Sequence, residues 1–282
     1  MASARSIAIY TKAIEDLRRA FNASDIEFLK NHSAVNKYIE DMPKAFNTKK
    51  MYWIALVSTL KQLNRMDFAD AFAAYKAKMD AANKKVAEEM EQQEMTEREK
   101  AIYVEWPGIL EAREKARQSA SCLATWQDYV ILCLYTMMPP LRLDWSPVAV
   151  VKTETECSGN CIMIEKKSIT FILREYKTAR KYGEQKLILP KDLEKVVREW
   201  LTLNPSGWLL VDNVGQPLSE KALQKRITDI MTRHTGKAAG VNIIRHSFVS
   251  HQRRGEKPLA EQKKLASGML HSVAMSQLYR RI

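Results

Sequence analysis

VNIIRHSFVSH, residues 241–251, followed after a basic connector by MLHSVAMSQLYRRI, residues 269–282, decides how the rest of the chain is read. Arg245, His271 and Tyr279 follow in that order within 35 residues, and such an ordering suggests one phosphate-directed site. Arginine supplies a planar, permanently charged fork for phosphate oxygens, histidine supplies a donor, and tyrosine supplies a hydroxyl that can attack phosphorus.

Working outward, two upstream segments fit the same chemistry. LYTMMPPLRLDW (134–145) places Arg142 just after an apolar helix that Pro139 and Pro140 must stop, because proline cannot donate the next helical hydrogen bond. EYKT (175–178), followed by a polar turn and KLILP (186–190), reads as a hairpin with a lysine near its tip.

These segments together resemble the tyrosine recombinases, the phage-integrase family. RHSFVSH, LHS (270–272) and Tyr279 match its second signature box, Arg142 its first arginine, and Lys177 its hairpin lysine. The resemblance spans roughly residues 101 to 282 and rests on the order and spacing of several motifs. Three positions depart from the family pattern. Asn242 stands where His or Lys normally precedes the second arginine by three residues, and it can donate a hydrogen bond but not shuttle a proton. Trp145 occupies the slot of the first-box acid, with Asp144 beside it. His271 and Tyr279 are eight residues apart, one fewer than in many relatives, which turns the tyrosine by about 100° on a helix.

The resemblance implies a catalytic set of Arg142, Lys177, Asn242, Arg245, His271 and Tyr279. The two arginines would cradle the non-bridging phosphate oxygens, Lys177 would protonate the leaving 5′ oxygen, His271 would donate to a non-bridging oxygen, and Tyr279 would be left joined to the 3′ phosphate. Lys181 is an alternative to Lys177 in this hairpin register. No cofactor or metal is expected, since the chain shows no Walker-type glycine loop and no carboxylate cluster suited to magnesium. Integrase or recombinase activity, of the kind carried by viruses and other mobile elements, is the implied function. A type IB topoisomerase and a non-catalytic DNA-binding relative are the alternatives, the second favoured by Asn242.

Composition agrees with a polyanionic partner. Across 282 residues the net charge is +12, carried unevenly: residues 1–100 hold 17 Lys+Arg against 15 Asp+Glu, and the remainder 28 against 18. An excess of that size on the second part suits double-stranded DNA better than a membrane, because no apolar run reaches the length of a spanning helix and no signal segment is evident. The expected setting is intracellular, with DNA in a host nucleus or nucleoid. Four protomers on two duplexes and a free monomer are expected, since only three residues follow Tyr279 and leave no segment for exchange with a neighbour.

The expected fold is mainly α with a small antiparallel β-sheet. Residues 1–100 read as an all-helical domain resembling the family's DNA-clamping, core-binding unit, and 101–282 as an α+β catalytic domain. Ile7, Tyr10, Ile14, Leu17 and Phe21 recur on one helical face. Ser24, Ser33 and Thr48 stand as N-caps, and a long helix is predicted from Met66 to about Arg98. Lys49, Lys50 and Lys61 read as surface lysines or as phosphate contacts. Period-two patterning places strands in VAVVKTETE (148–156), CIMIEKK (161–167), SITFILREY (168–176) and KLILP, with Ser-Gly-Asn turning between the first two and Lys177 closing the third. Cys157 and Cys161 read as thiols flanking that turn or as half of a zinc site, and Cys122 and Cys133 as core thiols. A reducing compartment argues against disulfides.

Overall fold

A computed structural model describes residues 4–252, 259–270 and 272–281. The chain divides into two compact units, one ending at Gln92 and one beginning at Gln93.

The first unit is helical, with α1 (Ala4–Ala20), α2 (His32–Asp41), α3 (Phe46–Leu63) and α4 (Ala69–Gln92). Leu17, Leu29, Val35, Ile39, Leu56 and Tyr75 are fully buried, and the polar atoms drawn in with them are paired. Tyr75 donates to the Leu29 carbonyl at 2.8 Å, and Trp53 Nε1 donates to Asn36 Oδ1 at 2.9 Å. Two expected caps are displaced. Asn31, not Ser33, caps α2 by accepting from the Ala34 amide, and Asp25 rather than Ser24 accepts from the Glu27 amide. Thr48 lies inside α3, because Phe46 packs on the core and carries the helix start three residues earlier, with Ala45 at the cap position. The helix expected to reach Arg98 stops at Gln92. Gln93 adopts a left-handed backbone, φ +58°, and Thr96 and Glu99 close a capping box that starts a new helix.

The second unit holds α5 (Glu97–Ile102), α6 (Trp106–Gln118) and α7 (Leu123–Thr136), then a sheet of β1 (Ala149–Val151), β2 (Cys161–Ile164), β3 (Ile169–Leu173) and, after the short α8 (Ala179–Tyr182), β4 (Gln185–Ile188). It continues through α9 (Lys191–Leu203), α10 (Glu220–Thr235), α11 (Val241–Gln252), α12 (Leu259–Gly268) and α13 (Val273–Leu278). α7 is predominantly apolar and is buried from Gln127 to Tyr135, so it forms the spine of the unit. α10 is bounded as its sequence requires: Ser219 Oγ accepts from the Ala222 amide, and Gly236 closes the C-terminus at φ +72°, where a side chain would be strained. Among the described residues no helix is long and apolar enough to cross a membrane.

The sheet order is β1-β2-β3-β4. Pairs β2–β3 and β3–β4 are antiparallel, whereas β1–β2 is parallel, in register Ala149 with Cys161, so the sheet is mixed rather than antiparallel. The connection between β1 and β2 makes no hairpin. A tight turn at Glu154–Glu156, held by the Lys152 amide on the Glu156 carboxylate, carries the chain back to the start of β1, where Asn160 C=O accepts from the Ala149 amide. Ser-Gly-Asn then closes a loop whose two cysteines have Cα atoms 6.0 Å apart and are joined as a Cys157–Cys161 disulfide, which corrects the reading of both as free thiols or zinc ligands. Cys133 is a buried free thiol, but Cys122 is exposed at the start of α7 and not in the core.

Candidate active site

Arg142 is delivered by the turn that follows α7. The Tyr135 hydroxyl, buried at the end of that helix, donates to the Arg142 carbonyl at 2.5 Å, while Asp144 Oδ2 accepts from the Arg142 amide at 3.0 Å. Trp145 anchors the next position: fully buried, it stacks on Phe171 of β3 at 4.2 Å and 13°. The residue in the family's acidic slot is therefore a core anchor, and the carboxylate nearby belongs to Asp144. Burial raises the Asp144 pKa, while the Arg142 amide and the charges of Arg142 and Arg245 pull the other way.

Arg245 sits on α11, where Ile244 and Val249 are fully buried and Phe248 meets Trp106 of α6 edge-on at 5.0 Å. None of the Arg245 surface is exposed. Its Nη1 donates to the Pro140 carbonyl at 2.8 Å, so the two-proline turn before Arg142 is held by the second arginine. Burial lowers its pKa and the Arg142 charge adds to this, while Tyr279, by its field and a side-chain hydrogen bond, opposes both. Arg142, Asp144, Arg245 and Tyr279 thus form one electrostatic group. Asn242 lies one helical turn before Arg245 and is exposed.

Tyr279 follows α13 directly. Its ring lies 5.0 Å from the Arg245 guanidinium carbon and stacks on the His246 ring at 4.8 Å and 29°. His246 Nδ1 is 2.8 Å from the Tyr279 carbonyl oxygen. Beyond the tyrosine, the Arg281 amide donates to Ser250 Oγ at 2.8 Å, and Arg281 Nη2 reaches Glu99 Oε1 at 3.2 Å and His246 Nε2 at 3.3 Å. A carbonyl only accepts and a guanidinium only donates, so both contacts require the neutral imidazole with its proton on Nδ1.

Burial, assisted by the Arg281 charge, accordingly lowers the His246 pKa to about 4. Unfolded, the ring would titrate near its ordinary value of about 6.5. Between these values the unfolded chain binds a proton that the folded chain does not, so stability is full above the upper value and falls as the pH drops toward the lower one. Relative to His246→Phe, which cannot titrate, the wild type is expected to lose at most about 3 kcal/mol across that window, read by urea unfolding near neutrality and again near pH 4.5. A constant difference between the two proteins would contradict the assignment.

Lys177 is exposed, and it does not close a strand as expected. β3 ends at Leu173, because Asn160 Oδ1 captures the amides of Arg174 and Glu175, each at 2.9 Å, and Asn160 Nδ2 donates to the Glu175 carbonyl at 2.8 Å. Lys177 therefore lies in the segment 174–184 with Lys181, whose Nζ sits 5.1 Å from the Tyr182 ring centroid. Both lysines are exposed. His271 lies outside the described residues. His246, Ser250, Arg281 and Glu99, which hold the tyrosine segment, were not singled out by sequence. Only the one-turn spacing of His246 and Ser250 on α11 hints at a shared face.

No family model matches the chain, and no curated protein does. Among solved structures it is similar to the XerH site-specific recombinase bound to a palindromic difH substrate in a post-cleavage complex, at 15% identity and a TM-score of 0.57, covering 98% of this chain and 75% of that one. The XerH pre-cleavage complex on difH gives 17% identity and 0.53, covering 96% and 72%. The XerA recombinase gives 15% identity and 0.46, covering 100% and 88%. With its mostly helical build and small mixed sheet, the chain has the tyrosine recombinase fold.

Proposed function

We propose that this chain cuts and rejoins double-stranded DNA at specific sites through a 3′-phosphotyrosine intermediate, as an integrase or recombinase. The observation that carries the reading is the packing of the Tyr279 ring on the buried Arg245 guanidinium, beside Arg142 and Asp144, from three separate stretches of chain. A guanidinium held without exposed surface is fixed in direction before substrate arrives, and preorganised charge of this kind is commonly the largest catalytic contribution.

In this reading the Tyr279 oxygen attacks phosphorus and passes its proton to solvent water as the bond forms. The bond from phosphorus to the 5′ oxygen breaks, and that oxygen takes a proton from Lys177. Arg142, Arg245 and His271 hold the non-bridging oxygens, and Asn242, exposed one turn before Arg245, supplies at most a hydrogen bond. One phosphodiester replaces another, so rejoining by a 5′ hydroxyl needs no nucleotide. The helical unit ending at Gln92 clamps the duplex, and protomers that are monomeric when free assemble as four on two duplexes. Integration of viral or other mobile DNA, inside a host nucleus or nucleoid, is the biological setting that fits.

The test is capture on a nicked suicide duplex in excess EDTA, followed by peptide mapping. A covalent complex through the Tyr279 peptide is expected, because cations on the protein stand in for a metal's charge. Strict dependence on magnesium, or an adduct on another residue, would overturn the reading. A duplex bound but never cleaved would favour a non-catalytic DNA-binding protein, the direction in which Asn242 points.

Lys177 and Lys181 are separated by leaving-group chemistry. Lys177→Ala should lower cleavage of an ordinary duplex by about 10²-fold or more and recover on a substrate with a 5′-bridging sulfur, whose leaving group needs no proton. Recovery shown by Lys181→Ala instead would move the acid to that position.

A further inference from the structure

Resting on that functional reading, we infer that His246 is a positioning residue that latches the nucleophile: through Tyr279's own backbone it holds the tyrosine against Arg245 of the same chain. The element carrying Tyr279 is weak. α13 has only six residues, Tyr279 stands in the turn after it, and a helix this short has little stability of its own. Something outside α13 must fix the phenol.

His246 is placed to do so from both sides of its ring. Nδ1–H donates to the Tyr279 carbonyl at 2.8 Å, and the ring face stacks on the Tyr279 ring at 4.8 Å. Nε2 then accepts from Arg281, whose amide is tied to Ser250 and whose guanidinium pairs with Glu99. Tyr279 itself and Arg281, two residues beyond it, are thus bound to one helix, α11, and that helix carries Arg245 on the residue before His246. The distance from nucleophile to phosphate clamp is then set by adjacent residues rather than by the connection 253–272. A spacing between His271 and Tyr279 that differs from the family pattern matters less if the tyrosine takes its position from α11.

Two readouts test the latch. In free protein, trypsin cleavage after Arg280, followed by mass spectrometry, reports release of the segment. His246→Phe keeps a stacking ring but loses both hydrogen bonds and should be cut at least about tenfold faster. His246→Asn retains a donor near the Nδ1 position and should fall between it and the wild type. Arg281→Ala, which leaves α11 untouched, should accelerate cleavage in the same direction and covers the case in which His246→Phe folds poorly. On DNA, His246→Phe should slow single-turnover cleavage by about 30-fold or more with duplex affinity within threefold, and a 5′-bridging sulfur should not restore it, because the defect lies in attack rather than departure.

Unchanged trypsin rates in both His246→Phe and Arg281→Ala would overturn the latch, as would His246→Phe cleaving DNA within threefold of the wild type. Absence of any covalent complex from the wild type would instead refute the functional reading, and the trypsin comparison would still decide whether the latch exists.

Discussion

Tyr279→Phe is expected to leave duplex binding intact and to remove the covalent complex, lowering adduct formation by roughly 10⁴-fold or more, as loss of a sole nucleophile does. The substitution is conservative for the fold. The ring stays stacked on His246 and over the Arg245 guanidinium, and the latch to the Tyr279 carbonyl uses a backbone atom that phenylalanine also has. What disappears is the hydroxyl and its hydrogen bond to a charged partner, a stability cost of about 1–3 kcal/mol. Gel-shift affinity within threefold of wild type, together with absence of a denaturant-resistant protein–DNA species, is the expected pair of results. An adduct that persists in this variant would mean that another side chain attacks phosphorus.

Much of the helical framework could be read from residue spacing, because burial and periodicity speak the same language there. α7 is predominantly apolar and is the buried spine, and Ser219 and Gly236 mark the ends of α10 by capping chemistry that needs no tertiary partner. Errors arose where a distant contact outweighed a local signal. Phe46 extends α3 past Thr48 because it has a core to pack on, and the amides of Arg174 and Glu175 leave the strand ladder because Asn160, 14 and 15 residues earlier, takes them. The parallel pairing of β1 with β2 was hidden for the same reason. Ser-Gly-Asn looks like a hairpin turn, but its asparagine side chain serves the end of β3 and its flanking cysteines close on each other.

At the candidate site, the order of motifs pointed to Arg142, Arg245 and Tyr279, and these are electrostatically coupled. The groups that hold them carry no spacing signature. His246 is simply the residue after an arginine, and Glu99 precedes Arg281 by 182 positions. Asp144 was visible only as a neighbour of Trp145, and its contact with the Arg142 amide depends on how the two-proline turn folds back on Tyr135.

The second large effect is expected at Arg245, and its value lies in separating catalysis from structure. Arg245→Met keeps a long unbranched side chain in the same fully buried space but deletes the charge and the donor to the Pro140 carbonyl. Two contributions to stability oppose each other. Leaving a carbonyl unsatisfied costs about 1–3 kcal/mol, whereas relieving a buried cation of its desolvation penalty returns a similar amount, and apolar replacement of buried charge is often neutral. The Asp144 carboxyl, which loses one of two nearby cations, is free to take up a proton and so to avoid a stranded charge. The unfolding free energy should therefore change by less than about 2 kcal/mol. Cleavage has no such compensation: one of two fixed forks for the non-bridging oxygens is gone, and loss of a single preorganised donor costs about 10²–10³-fold in rate. A variant that keeps its urea midpoint near wild type while cleaving a suicide duplex at least 10²-fold more slowly is the expected outcome. If the rate falls less than tenfold, Arg245 is a packing residue that happens to be charged, and the phosphate must be held by other groups.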